Sequence, residues 1–214
     1  MKGSKMSRGD SLIISKSKLK PEYREVFLTA KYFYEKPDFH NILELSTFFL
    51  PDNPENQIEE TIVKFLNEEQ YDYTGKCIEY WFQHQIEGWS LAAHCDYNHH
   101  VRADISDGGA WIHTVNQNRV MSPITIGCYL LADNLEGGEL GISSHTWLDE
   151  KTPLQLDEGL QERIKNSKIE YYQPKVDDVL YFEGSKHYHW IEEVKSGERK
   201  SMMINFWPAR YALS

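Results

Sequence analysis

The chain has 214 residues, enough for one domain with a sizeable core and short for two. Its formal net charge of −10 sets a repulsive field against phosphate backbones and argues against avid non-specific nucleic-acid binding. No apolar run approaches the ~18 residues that span a bilayer as a helix.

The first residues, MKGSKMSRGDSLIISKSKLK, are basic, and SLII is too short for the apolar core of an export signal. Residues 1–20 therefore read as a flexible tail outside the fold. Three cysteines, Cys77, Cys95 and Cys128, are an odd number with no framework spacing, which predicts reduced thiols and a cytoplasmic protein. Pro21 opens a helical pattern with Tyr23, Val26, Phe27, Ala30 and Tyr34 on one face. Residues 42–50, ILELSTFFL, read as extended. A second helix follows, with Asn53 as its cap, Pro54 in its first turn, and a stripe of Ile58, Ile62, Phe65 and Leu66.

After Gly75 the pattern changes. KCIEYWFQHQI sets Ile78, Tyr80, Phe82 and His84 against Glu79, Trp81, Gln83 and Gln85. Further short runs follow: SLAAHCD, GAWIHTV, PITIGCYLL, GELGIS, KIEYYQ, DVLYFEG, KHYHWIEEV and KSMMINFW. Gly, Pro, Asn and Asp punctuate them. DEGLQERIKN reads as a short helix inside a polar insertion at 145–167. The chain is thus mainly β with N-terminal α-helices, an α+β protein whose strands form a sandwich or jelly roll.

HCDYNHH, residues 94–100, holds the densest group of metal-ligating side chains. On a strand, residues i and i+2 share a face, so His94 and Asp96 converge while Cys95 points away. An imidazole with a carboxylate suits Fe(II), Mn(II) or Zn(II). His99 and His100 follow in a polar loop, and their spacing from Cys95 fits no tight zinc motif. Downstream, the stretch from His189 through the SGE turn to Arg199 reads as a hairpin with one residue on each arm. Ser201 shares a strand face with Arg199. An arginine with a serine beside a metal-bound histidine forms a clamp for a carboxylate.

HCD, DNLEGGEL, DDVLYF and HWIEEVKSGERKS, in this order, resemble the Fe(II)- and 2-oxoglutarate-dependent oxygenases, nearest the prolyl 4-hydroxylase-like branch. The resemblance covers residues 77–207. It implies a double-stranded β-helix, the cupin-like jelly roll, buttressed by helices within 21–70, in a single oxygenase domain over 21–214. It also implies Fe(II) held by His94, Asp96 and His189. Face alone does not separate His187 from His189; the family's spacing from the distal histidine to the basic residue favours His189. 2-Oxoglutarate would meet Arg199, Ser201 and Tyr129. Counting back from the Gly-Gly turn puts Leu130 where the family carries a tyrosine, so either a bulge brings Tyr129 inward or another group takes its place. Asp177 stands where relatives have a glycine, and Asn205 where they have a tryptophan.

The implied reaction consumes O2 and 2-oxoglutarate, releases succinate and CO2, and hydroxylates an unactivated C–H bond, with ascorbate as an accessory reductant. The implied partner is a peptide or protein carrying a prolyl residue, with Trp111 and Asn205 near the substrate and Trp147 a further candidate at the mouth. Nucleic acid and membranes are not expected partners. The same chemistry on a nucleobase, a free amino acid or a small metabolite is the alternative, followed by a metal-binding jelly roll without turnover.

Overall fold

The computed structural model describes residues 11–30, 46–96, 122–146 and 158–209. The expected strand GAWIHTV, and Tyr34, His99, His100, Trp111 and Trp147, lie outside these residues.

Strand β1 is Ile13–Lys18, helix α1 Pro21–Leu28, strand β2 Thr47–Phe49 and helix α2 Gln57–Glu68. Strands β3 (Lys76–Ile86), β4 (Leu91–His94), β5 (Thr125–Gly137) and β6 (Leu140–Thr146) follow. Helix α3 (Glu158–Lys165) precedes β7 (Ile169–Tyr172), β8 (Asp178–Phe182), β9 (His187–Ile191) and β10 (Val194–Pro208). No helix among the described residues is long and apolar enough to cross a membrane.

The segment expected to lie outside the fold contributes a strand. β1 pairs antiparallel with β8, with Lys16 opposite Leu180 and Lys18 opposite Asp178. Helix α2 starts later than expected. Its cap is Asn56, not Asn53: the Asn56 side chain accepts from the backbone N–H groups of Ile58 and Glu59 at 3.0 and 3.1 Å. Glu59 reaches back to accept from Glu55 N at 2.6 Å, closing the first turn from the other side.

The described strands form two antiparallel sheets, one of six strands in the order β1-β8-β5-β10-β3-β2 and one of four in the order β4-β9-β6-β7. The outer face of the six-stranded sheet carries Ile78 and Phe82 from β3, Ile126, Cys128 and Leu130 from β5, and Met202, Ile204 and Phe206 from β10. Tyr23 and Phe27 of α1 and Ile62, Phe65 and Leu66 of α2 pack on that face. The inner face meets the other sheet, where Trp81, Tyr129, Leu180, Phe182 and Met203 contact Leu140 and Ile142 of β6. Both faces of β3 are therefore buried. Its polar row of Glu79, Gln83 and Gln85 points between the sheets and not to solvent.

The expected hairpin between His189 and Arg199 does not form. β9 pairs with β4 and β6, whereas β10 pairs with β3 and β5, so the chain changes sheet between Ile191 and Val194. The Ser-Gly-Glu stretch is a bulge inside β10. Gly197 sits there at φ +77°, and a Cβ on it would lie 2.3 Å from Asp133 O and 2.4 Å from Asn134 O. Only glycine fits so close an approach in a left-handed conformation. Asp177 also occupies the left-handed region, at φ 68°, a conformation that glycine adopts without strain. Here Arg24 of α1 donates to both carboxylate oxygens of Asp177 at 2.8 Å, tying the strained position to the helix layer.

Candidate metal centre

His94 and His189 face each other directly across the β4–β9 pair. Their imidazoles therefore emerge side by side, with ring centroids 4.3 Å apart. Asp96 lies just past the end of β4. Its backbone N–H donates to Gly184 O at 3.0 Å, which keeps its side chain turned toward the two rings. Cys95 points the other way, into a cluster with Leu160, Ile164 and Tyr188.

The Nε2 atoms of His94 and His189 lie 3.7 and 3.5 Å from Asp96 Oδ1, and one donor atom from each of the three residues fits within 4.8 Å of the others. Three such donors around one ion, with bonds of ~2.1 Å at right angles, would sit about 3 Å apart. The donor set therefore fits a divalent transition metal after a small contraction. Both Nδ1 atoms are committed to backbone carbonyls: His94 to Ala92 O at 2.8 Å and His189 to His187 O at 3.1 Å. With the proton on Nδ1, each Nε2 presents its lone pair to the common point.

Asp96 is 9% exposed and His189 5%. Burial pushes the Asp96 carboxyl up, but the charge and hydrogen bond of His189, with His94 beyond, outweigh it, and the group ends well below the usual carboxylate range. Burial likewise opposes the His189 imidazolium, yet the Asp96 carboxylate reverses the balance and raises it.

The second oxygen of Asp96 is held from behind. Thr125 Oγ1 lies 3.0 Å from Asp96 Oδ2 and 2.7 Å from Asn205 Oδ1, and Asn205 Nδ2 donates to Asp96 Oδ2 at 3.3 Å. Asn205 is 1% exposed. Its amide is spent on Thr125 and Asp96, so the residue expected beside the substrate sits behind the carboxylate instead. Gly184 presses on the same group: a Cβ there would lie 2.4 Å from Thr125 Oγ1 and 2.7 Å from Asp96 Oδ2. Nothing in the sequence marked Thr125 or Gly184. Their roles depend on contacts between distant segments.

A cavity opens beside this cluster. His94, Asp96, His189, Gln83, Tyr129 and Arg199 line it, with Trp81, Leu91, Leu140, Ile191 and Met203 as apolar walls. Arg199 is 1% exposed. It donates to Gly138 O at 2.6 Å, and its guanidinium lies 5.1 Å from the centroid of the Tyr129 ring. Its Nε has no hydrogen-bond partner, and among the described residues no carboxylate pairs with it. Burial pushes the guanidinium below its ordinary value, against the pull of Tyr129. An arginine stays charged even so.

Of the two alternatives at Tyr129, the strand pairing has the bulge. Lys200 of β10 stands opposite Leu131 and Ser201 opposite Tyr129, so Leu130 is the extra residue. Leu130 joins the helix-side core, and Tyr129 faces the cavity. Ser201 is buried on the same strand, and its hydroxyl donates to Gln83 Oε1 at 3.4 Å. The His187 ring turns elsewhere, with Nδ1 3.0 Å from Ser143 O and Nε2 3.5 Å from Glu183 Oε2. The three cysteines are buried thiols, none of them in a disulfide among the described residues.

No protein-family model matches the chain, and no curated protein matches it. Solved structures do. A prolyl-4-hydroxylase of Pseudomonas putida is 12% identical at a TM-score of 0.52, over 90% of this chain and 86% of that one. The viral collagen prolyl hydroxylase of Paramecium Bursaria Chlorella virus-1, in its 2-oxoglutarate complex, is 16% identical at 0.50, over 91% and 95%. HygX from Streptomyces hygroscopicus, with nickel and 2-oxoglutarate bound, is 10% identical at 0.50, over 89% and 78%. At such identities the likeness is one of fold, and the chain has the mainly β architecture expected from its sequence, in two antiparallel sheets.

Proposed function

We propose that this protein is an Fe(II)- and 2-oxoglutarate-dependent oxygenase built on a double-stranded β-helix. The observation that carries the reading is Arg199: a buried cation without a carboxylate partner among the described residues, lining the same cavity as His94, Asp96 and His189. A buried unpaired charge is costly, so such a site is built for an anion supplied from outside. An anion with one end at a metal and the other at a guanidinium is a short dicarboxylate with its own metal-binding group, and 2-oxoglutarate has that form.

In this reading His94, Asp96 and His189 hold the iron. Bound iron supplies the activation of O2, coupled to oxidative decarboxylation of 2-oxoglutarate to succinate and CO2 and to hydroxylation of a substrate C–H bond. The backbone carbonyls of Ala92 and His187 keep both imidazoles in the metal-binding tautomer. Thr125 and Asn205 hold the rear oxygen of Asp96, leaving Oδ1 for the metal. Arg199, with Tyr129 beside it, anchors the far carboxylate of the cosubstrate. Trp81, Leu140, Ile191 and Met203 keep water from the space between.

The proposed substrate is a prolyl residue in a peptide or protein. Support comes from the two prolyl hydroxylases of like fold and from the sequence resemblance to that branch. The test is a panel of proline-containing peptides beside nucleosides, single-stranded DNA and free amino acids, incubated with Fe(II), 2-oxoglutarate and ascorbate. Mass spectrometry would score the gain of one oxygen atom coupled to succinate. Hydroxylation confined to a non-prolyl substrate would remove the prolyl assignment and leave the reaction class. A protein that binds neither divalent metal nor 2-oxoglutarate would sink the whole reading.

A further inference from the structure

We infer that Gln83 is a second anchor for the far carboxylate of the cosubstrate, donating its amide N–H beside Arg199, and that Ser201 acts only through it. The inference rests on the 2-oxoglutarate reading of the cavity. Gln83 lies on the inner face of β3, is 6% exposed and lines the cavity. On that face Ser201 is its direct neighbour across the β3–β10 pair, and Arg199 is the neighbour of Gln85. The four side chains thus form one patch.

Within the patch the Gln83 amide lies with its oxygen toward the sheet. Its oxygen accepts from Gln85 Nε2 at 3.0 Å and from Ser201 Oγ at 3.4 Å. Both acceptor directions are filled by the sheet, and the nitrogen has no acceptor among the described residues. An amide held by its oxygen presents its N–H groups on the opposite side. Gln83 borders the cavity, where a carboxylate bound to Arg199 supplies an acceptor for these N–H groups. The Ser201 hydroxyl has a single proton, which is engaged with Gln83. The serine that the sequence placed on the cosubstrate is therefore a positioning residue. Gln83, on the row of β3 that points between the sheets, is the group that would touch the ligand.

Calorimetric titration of 2-oxoglutarate into the full-length protein loaded with Ni(II), which binds without turnover, tests this. Gln83→Met keeps the length of the side chain and removes the N–H; its Kd for 2-oxoglutarate is expected to rise ~10-fold or more. Gln83→Glu sets a carboxylate against the ligand and is expected to raise it further. Ser201→Ala leaves Gln85 holding the amide and is expected to change Kd by no more than ~3-fold. Ni(II) affinity, measured on the same samples, should stay within about 2-fold throughout, which reports an intact fold and centre. Wild-type affinity in Gln83→Met, or a larger loss in Ser201→Ala than in Gln83→Met, overturns the assignment. If 2-oxoglutarate binds the wild type and Arg199→Met abolishes that binding, such a result removes Gln83 alone. Failure of the wild type to bind 2-oxoglutarate removes the cosubstrate reading with it.

Discussion

Arg199 and His189 stand on different sheets, β10 and β9, and both line one cavity. The space between them is thus bounded by the packing of two layers and not by a single hairpin. Its width depends on contacts such as Trp81 and Met203 against Leu140 and Ile142. Arg199→Met should remove the charge while keeping most of the packing. The expected outcome is a rise of ~100-fold or more in the 2-oxoglutarate concentration needed for half-saturation, with metal binding retained. An unchanged saturation curve would send the search to another cation.

The ring contacts of His187 and His189 separate their expected behaviour. His189→Ala removes a donor atom from the cluster, whereas His187→Ala breaks a contact to Ser143 O. Equilibrium titration with Fe(II) under anaerobic conditions should show a loss of ~100-fold or more in affinity for the first variant and little change for the second. The reverse result would exchange their roles.

Gly184→Ala probes the cradle around Asp96. The new methyl would press on Thr125 Oγ1 and Asp96 Oδ2. Overpacking of this kind costs roughly 1–3 kcal/mol. Metal affinity should fall by ~10-fold or more, because the displaced atom is a ligand's own carboxylate. Asn205→Ala should weaken metal binding by a similar factor through loss of its hydrogen bond to Oδ2. Metal affinity equal to wild type in both variants would leave Asp96 without need of these supports.

Glu79 gives the protein a pH signature. The carboxyl is 2% exposed, and Trp207 Nε1 donates to it at 2.6 Å. Burial, opposed by that hydrogen bond, pushes it up from 4.5 to about 7. Between those values the unfolded chain has lost the proton that the folded protein keeps. Stability contributed by the neutral group is full below pH 4.5 and declines as pH rises to about 7. Glu79→Gln keeps the acceptor and abolishes the titration. At pH 8 it should be more stable than wild type by up to about 3 kcal/mol, and the gap should close toward pH 4.5. Urea unfolding across the pH range reads this directly, and a pH-independent gap would assign the difference to packing.

Local spacing made part of the site legible. His94 and Asp96 are two residues apart, and the segment holding His189 and Arg199 has a pattern of its own. Alternation also placed most of the strands. It reports which residues share a face, but not which face meets solvent. For Gln83 and Gln85 the alternation left the facing open, because a sheet covered on one side by helices and on the other by a second sheet is not visible in β3 alone. Asn205 and Asp96 are 109 positions apart, and no local rule joins them. The change of sheet after Ile191 was hidden for the opposite reason: Ser-Gly-Glu is a good turn sequence that here forms a bulge.

Strand β1 bears on how the six-stranded sheet ends. The strand it covers, β8, is buried along its whole length, and β1 presents Ser15, Lys16 and Lys18 outward in its place. Lysines on a terminal strand discourage a second chain from continuing the sheet. β1 therefore acts as a gatekeeper. A version trimmed to begin at Pro21 would bare the backbone donors and acceptors of an apolar strand. Such a shortened protein is expected to elute as larger oligomers, or to precipitate at lower concentration, than the untrimmed chain measured beside it, even with every residue of the metal cluster in place.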